Sequence, residues 1–164
     1  MPKSAIIFIA DGTEETEAIT IADLLVRAGI KVTLLGVGLE DRGPPGIAKC
    51  SRGIKVVTDE LLENIGSAKL AQADLLVLPG GAKGAQTLSS DGIVLKAIKT
   101  HFRQDKLLGM ICAGSLCAKA AGLKRDDGNG KLSITSHPSV KGDLVDDFDY
   151  KEDVVVDDGN LITA

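Results

Sequence analysis

Apolar positions in this chain gather into short uninterrupted runs separated by helical or turn-like stretches. Ala5-Ile-Ile-Phe-Ile-Ala10 shows no polar alternation, the pattern of a strand covered on both faces, as in a parallel sheet. Asp11-Gly12-Thr13 then turns the chain. Glu14, Glu15 and Glu17 open an amphipathic helix whose apolar positions include Ala18, Ile21, Ala22, Leu24 and Leu25. Gly29 ends that helix and Lys31–Leu35 predicts the next strand, giving a right-handed βαβ unit. Gly36 to Gly53 reads as a Gly/Pro-rich connection, Ile54–Val57 as a short strand and Glu60–Ile65 as a helical turn. Ala73–Leu78 predicts a buried strand ended by Pro79-Gly80-Gly81, Ile93–Phe102 a helix, and Leu107–Ile111 another strand. A helix is expected from about Ser115 to Ala121. The remainder reads as loop-rich, with a strand over Ser133–Ser136 and a hairpin of Val154–Val156 and Leu161–Ile162 around Asp158-Gly159-Asn160. These elements predict one α/β domain over residues 1–164. It is a doubly wound, mostly parallel, flavodoxin-like sheet sandwiched by helices, with its site at the carboxyl ends of the strands.

Composition narrows the function classes. The 164 residues, 44% of them hydrophobic, suffice for one buried core and fit neither a disordered nor a membrane-spanning chain. A net charge of −4 leaves no basic footprint, so neither nucleic acid nor a membrane is expected as partner. Met1-Pro-Lys-Ser runs straight into an apolar run that stops at Asp11, so no secretory leader is expected. Cys50, Cys112 and Cys117 are odd in number and lack CxxC spacing, suggesting neither a disulfide framework nor a metal site. A reducing compartment fits: the cytoplasm, with the nucleus as a second location.

Three strand ends carry candidate chemistry. Leu107–Cys117 reads as strand, cysteine, small-residue turn and helix, the logic of a nucleophile elbow. A thiol at that corner faces the amides opening the next helix, which favours the thiolate. The alternative is that Cys112 is packed as a small hydrophobe, and the residues alone leave both readings open. Asp11–Glu17 supplies acids. Glu14 and Glu15 read as solvated helix-start carboxylates, whereas Glu17, one turn further in, can point back toward the strand ends. Gly80 and Gly81 allow backbone amides to approach a ligand closely, although Pro-Gly-Gly also suits a plain turn. His137 lies in a polar loop before a proline. His101, near a helix end, reads as a surface residue and Cys117 as core.

Ala10-Asp-Gly-Thr-Glu-Glu-Thr-Glu17, Val77-Leu-Pro-Gly-Gly81 with Gly84-Ala-Gln-Thr-Leu88, Ile111-Cys-Ala-Gly114 and Ser136-His-Pro138 occur in that order. In these motifs, from Lys3 to Thr163, the chain resembles the Parkinsonism-associated deglycase family of the DJ-one/PfpI superfamily, related to class I glutamine amidotransferase domains. The resemblance implies Cys112 as nucleophile, Glu17 as the acid hydrogen-bonded to it, His137 as the nearby histidine, and Gly80, Gly81 and Ala113 as the oxyanion region. It also implies a homodimer, with Arg27 and Cys50-Ser-Arg52 near its interface.

The activity implied is a cofactor-free reaction on a small dicarbonyl such as methylglyoxal. It is that of a glutathione-independent, glyoxalase III-type lyase (D-lactate dehydratase), or of a deglycase of early glycation adducts. Two rivals are a redox sensor or chaperone working through oxidation of Cys112, and a cysteine peptidase in which His137 pairs with Cys112. The chain departs from the family's pattern twice. Val57 stands where the family has a cysteine near the dimer contact. After Leu-Ile-Thr, family chains continue with an Arg-Gly-Pro-Gly-Thr loop and a long C-terminal helix, which is absent here, since the sequence stops at Ala164. Lowered activity and an uncovered sheet face are the expectations from that second difference.

Overall fold

The computed structural model describes residues 3–125, 128 and 130–164. Strand β1 (Ser4–Ile9) is followed by helix α1 (Glu15–Arg27) and strands β2 (Lys31–Gly36), β3 (Ile47–Lys49), β4 (Lys55–Val57) and β5 (Glu60–Leu61). Next come α2 (Ser67–Gln72), β6 (Leu75–Leu78), α3 (Ala82–Ser90), α4 (Gly92–Arg103), β7 (Leu107–Met110) and α5 (Leu116–Ala120). The chain ends through β8 (Ser133–Ile134), α6 (Lys141–Leu144), β9 (Asp149–Tyr150), β10 (Val156–Asp158) and β11 (Leu161–Thr163).

The main sheet has seven strands in the order β10-β11-β7-β6-β1-β2-β5, and every neighbouring pair is parallel except β10 with β11. From β1 the chain winds outward to β2 on one side and to β6 and β7 on the other. The reversal opens a crevice beyond the carboxyl ends of β1 and β6, where α/β sheets bind ligands. Residues of β1 explain the uninterrupted apolar run. Ile6 and Phe8 pack with Leu76, Leu78, Leu88, Val94 and Ile98 beneath α3 and α4, while Ile7 and Ile9 join Ala18, Leu39 and Val77 beneath α1. Phe8, Ile7 and Ile9 are wholly buried, and each contributes about 1.5–3 kcal/mol relative to exposure.

Several local expectations change. Glu60–Ile65 is not a helical turn throughout: Glu60–Leu61 pairs with β2, and only Leu62–Asn64 forms a 3-10 turn. The Gly36–Gly53 connection contains β3, paired antiparallel with β4. Helices α2 and α3 are short and rich in small and polar residues, so they lack a legible apolar stripe. In α3, Gly84 serves close approach, since a Cβ there would lie 2.7 Å from the Thr13 backbone. His101 is not a surface residue. It continues the buried stripe Val94, Ala97, Ile98, His101 along α4 and lies fully buried, its Nε2 3.1 Å from the Ala73 carbonyl.

Candidate active site

Strand β7 delivers its chain directly into a sharp corner. Cys112 has φ +60, a left-handed conformation that non-glycine residues rarely adopt and that clusters at functional sites. Cys112–Ser115 make one 3-10 turn before α5 begins. The corner is over-determined by its surroundings. The Cys112 amide donates to the Ala164 carbonyl at 2.8 Å, and the Cys112 carbonyl accepts from the His137 amide at 3.3 Å. Gly114 is required here, because a Cβ would come within 2.1 Å of the Leu78 carbonyl oxygen.

Glu17 reaches this corner from the first turn of α1, which Glu14 caps by accepting a 2.9 Å bond from the Glu17 amide. Its Oε2 accepts a 2.6 Å bond from the Gly80 amide, which sets its carboxyl beside Cys112. The two groups are packed so closely against Gly80 that a Cβ there would meet Cys112 Cβ at 2.7 Å, Glu17 Oε2 at 2.8 Å and Cys112 Sγ at 2.9 Å. Burial holds the Glu17 carboxyl above its ordinary range, against the opposing pull of the Gly80 amide. Burial also pushes the Cys112 thiol up, and its hydrogen bond to Glu17 and that group's charge add to the effect.

That direction corrects the expectation that helix amides make Cys112 a low-pKa thiol. The amides of Ala113 and Gly81 do pull its pKa down, but burial and Glu17 outweigh them. A 3-10 turn leading into the five-residue α5 supplies little dipole. Two interacting acids of this kind titrate as a pair, and protonating one stabilises the anion on the other.

Of the three expected oxyanion residues, Gly81 and Ala113 lower the Cys112 pKa through their amides, while the Gly80 amide is engaged by Glu17. His137 lies beside the site through its backbone, but its exposed ring turns to Ser139, with Nδ1 2.8 Å from Ser139 Oγ. Among the described residues no hydrogen bond joins that ring to Cys112, so the direct Cys–His pair of the peptidase reading is not formed.

Glu15 is the clearest departure from its expected role. It is buried, not solvated, and its carboxylate accepts from Ser51 Oγ at 2.8 Å and the Arg52 amide at 2.9 Å. It thereby ties the Cys50–Arg52 loop to the start of α1. Asp11 does the same for the preceding loop through the Glu40 and Lys49 amides, both at 2.8 Å. Arg27 is exposed and pairs with Asp23, and the Arg52 side chain is exposed. Cys50 and Cys117 are buried thiols, pushed up to about 11 and about 12 respectively, chiefly by burial. Ser115, Thr135, Thr163 and Tyr150 carry no motif signal. They hold the His137 loop through Ser115 Oγ to Thr135 O (2.9 Å), Thr135 N to Thr163 Oγ1 (2.9 Å) and Tyr150 OH to Ser136 O (3.1 Å).

No cluster of three or more His, Cys, Asp or Glu among the described residues could hold a metal ion. No helix among them is long and apolar enough to cross a membrane.

A half-buried carboxyl beside a cysteine at a strand-to-helix corner, at the switch point of a doubly wound sheet, defines a cysteine-centred α/β site. The chain belongs to the DJ-1/PfpI family, whose model matches residues 3–164. It is 38% identical to protein dj-1beta of Drosophila melanogaster over 165 residues, spanning 100% of this chain and 81% of the relative. It is 36% identical to the glutathione-independent glyoxalase DJ-1 of Schizosaccharomyces pombe over 163 residues, or 96% and 80% of the two chains. The solved structure of Schizosaccharomyces pombe DJ-1 superposes with a TM-score of 0.86 at 35% identity, covering 98% of this chain and 82% of that one.

Proposed function

We propose that this chain is a glutathione-independent glyoxalase that converts methylglyoxal and related dicarbonyls to hydroxy acids, with Cys112 as nucleophile and Glu17 as proton shuttle. The observation that carries this reading is the Glu17 carboxyl, anchored on the Gly80 amide and set beside the Cys112 thiol in the crevice of the sheet. A carboxyl above its ordinary range beside a thiol is a proton donor and, once discharged, a base.

In the state where the pair shares one proton, the Cys112 thiolate adds to the aldehyde carbon and protonated Glu17 gives its proton to the new oxyanion, leaving a hemithioacetal and the Glu17 carboxylate. The Glu17 carboxylate then removes the hydrogen from the former aldehyde carbon and returns a proton to the neighbouring carbon through an enediol, leaving a thioester of lactate. Water cleaves the thioester, releasing lactate and a Cys112 thiol whose proton returns to the Glu17 carboxylate, restoring the one-proton pair. The amides of Gly81 and Ala113, which favour the anion on Cys112, are the donors this reading assigns to the developing negative charge. No added thiol, metal or cofactor enters the sequence. A homodimer with Arg27 and Arg52 near its interface, working in the cytoplasm, belongs to the same proposal.

A sensor reading draws on the same amides, which would also hold the oxygens of a Cys112 sulfinate. The test is lactate formation from methylglyoxal without glutathione, comparing the intact chain with Cys112→Ser. Turnover that vanishes in the variant is expected. No turnover by the intact chain favours the sensor.

A further inference from the structure

Two backbone turns meet beside Cys112. Gly81, at φ +87, lies so close to the turn before α1 that a Cβ on it would fall 2.2 Å from the Gly12 carbonyl oxygen and 2.7 Å from the Glu14 amide nitrogen. Glu14 stands at this junction and bonds both sides of it. Its amide donates to the Gly80 carbonyl at 3.0 Å, and its Oε2 accepts from the Glu17 amide at 2.9 Å. Glu17 Oε2 in turn accepts from the Gly80 amide at 2.6 Å. In an ordinary capping box the glutamate three residues into the helix reaches back to the amide of the cap residue. Here that amide goes to the Gly80 carbonyl and the Glu17 carboxyl goes to the Gly80 amide. Gly80 is inserted into the box, and three hydrogen bonds close a ring through Glu14, Glu17 and Gly80.

A cap needs only an acceptor, which Ser or Thr would supply as well. Glu14 adds a negative charge three residues from Glu17, the spacing at which side chains on a helix are neighbours. Among the described residues no lysine, arginine or histidine forms an ion pair with Glu14, so no partner cancels that charge. Glu15, next to it, is engaged elsewhere, its carboxylate taken by Ser51 Oγ and the Arg52 amide. The other ionisable groups that act on Glu17 are Cys112, from the corner after β7, and His137, from the loop after β8. Burial is the main cause that holds the Glu17 carboxyl above its ordinary range. The charge of Glu14 adds to it, while the Gly80 amide and His137 oppose it.

We infer that Glu14 is a positioning residue for the Cys112 site, a clamp that locks the Glu17 carboxyl to the Gly80 amide and places a negative charge beside that carboxyl. Its effect on turnover rests on the glyoxalase reading, and its effect on Glu17 does not. Repulsion between the two carboxylates favours protonated Glu17, the form that gives its proton to the new oxyanion. The same repulsion makes the Glu17 carboxylate a stronger base in the step that follows. Glu14 acts only through Glu17 and Gly80.

The test follows the 13C carboxyl resonance of Glu17 with pH in the intact chain, in Glu14→Gln and in Glu14→Asp. Glu14→Gln keeps the reach and the acceptor for the Glu17 amide but loses the charge. Glu14→Asp keeps the charge on a side chain that caps well. The Glu17 midpoint should move to lower pH in Glu14→Gln and stay near that of the intact chain in Glu14→Asp. With methylglyoxal, kcat of Glu14→Gln should fall roughly tenfold at unchanged KM, a part of what positioned proton transfer contributes. Should Glu14→Gln fail to fold, Glu14→Ser, with an ordinary uncharged cap, takes its place. An unchanged Glu17 midpoint, or a shifted midpoint with undiminished kcat, would overturn the inference, whatever the melting temperature does. An intact chain without methylglyoxal turnover would count against the glyoxalase reading alone, and the Glu17 midpoint would then decide the role of Glu14.

Discussion

Glu17 Oε2 accepts a 2.6 Å hydrogen bond from the backbone amide of Gly80, and this bond holds the carboxyl against Cys112. The absence of a side chain at Gly80 is what lets the carboxyl and the sulfur meet, because a Cβ would fall within 2.9 Å of both. Gly80 does not have a positive φ, so alanine is tolerated by its backbone and penalised only by its neighbours.

Gly80→Ala therefore separates site geometry from folding. It should fold, with a cooperative melting transition, and lose roughly 10²-fold in dicarbonyl turnover, the usual effect of displacing reacting groups by about an ångström. Gly114→Ala should instead lose stability outright, because its Cβ would meet rigid backbone at 2.1 Å. Turnover rates and thermal melts of the two variants check the contrast. Full activity in Gly80→Ala would contradict the geometry.

Oxidation should discriminate among the three cysteines. Cys112 is partly exposed and has two amides favouring its anion, whereas Cys50 and Cys117 are buried thiols raised to about 11 and about 12. Graded peroxide followed by peptide mass spectrometry should find Cys112 oxidised first, since oxidation follows thiolate character and access. Cys50 or Cys117 oxidised first would contradict this.

His101 gives an acid-side prediction. Its folded pKa lies below the ordinary 6.5, so the unfolded chain binds a proton more readily. The stability it contributes is complete above 6.5 and is lost as pH falls below that value. His101→Gln, which retains a donor for the Ala73 carbonyl, should flatten the fall of melting temperature on the acid side of neutrality. An unchanged slope would contradict the buried neutral ring.

How far the sequence discloses this molecule depends on whether a residue's role is local. Ile6 to Ile9 are legible because both neighbours of a central strand are apolar, whatever their identity. Cys112 is legible because strand, small residues and helix announce the corner, although its left-handed φ is not. Glu15 and His101 are not legible for one reason: their partners Ser51, Arg52 and Ala73 are distant in sequence, and only packing brings them together. The sign of the Cys112 shift escaped for the same reason, since it depends on burial and on Glu17 arriving from another element. Helix α3 escaped because Gly84 is there for contact with Thr13 and not for helix propensity.

The central claim is that Glu17 moves protons for chemistry begun by Cys112. The most direct measurement is lactate formation from methylglyoxal by Glu17→Gln, with iodoacetamide alkylation of Cys112 followed in the same variant. The amide side chain can still accept from Gly80 and donate to sulfur, but it cannot act as an acid or base. Turnover should fall by two or more orders of magnitude, as roughly expected when a general base is removed, while Cys112 remains open to alkylation. Turnover that survives in Glu17→Gln would contradict the account.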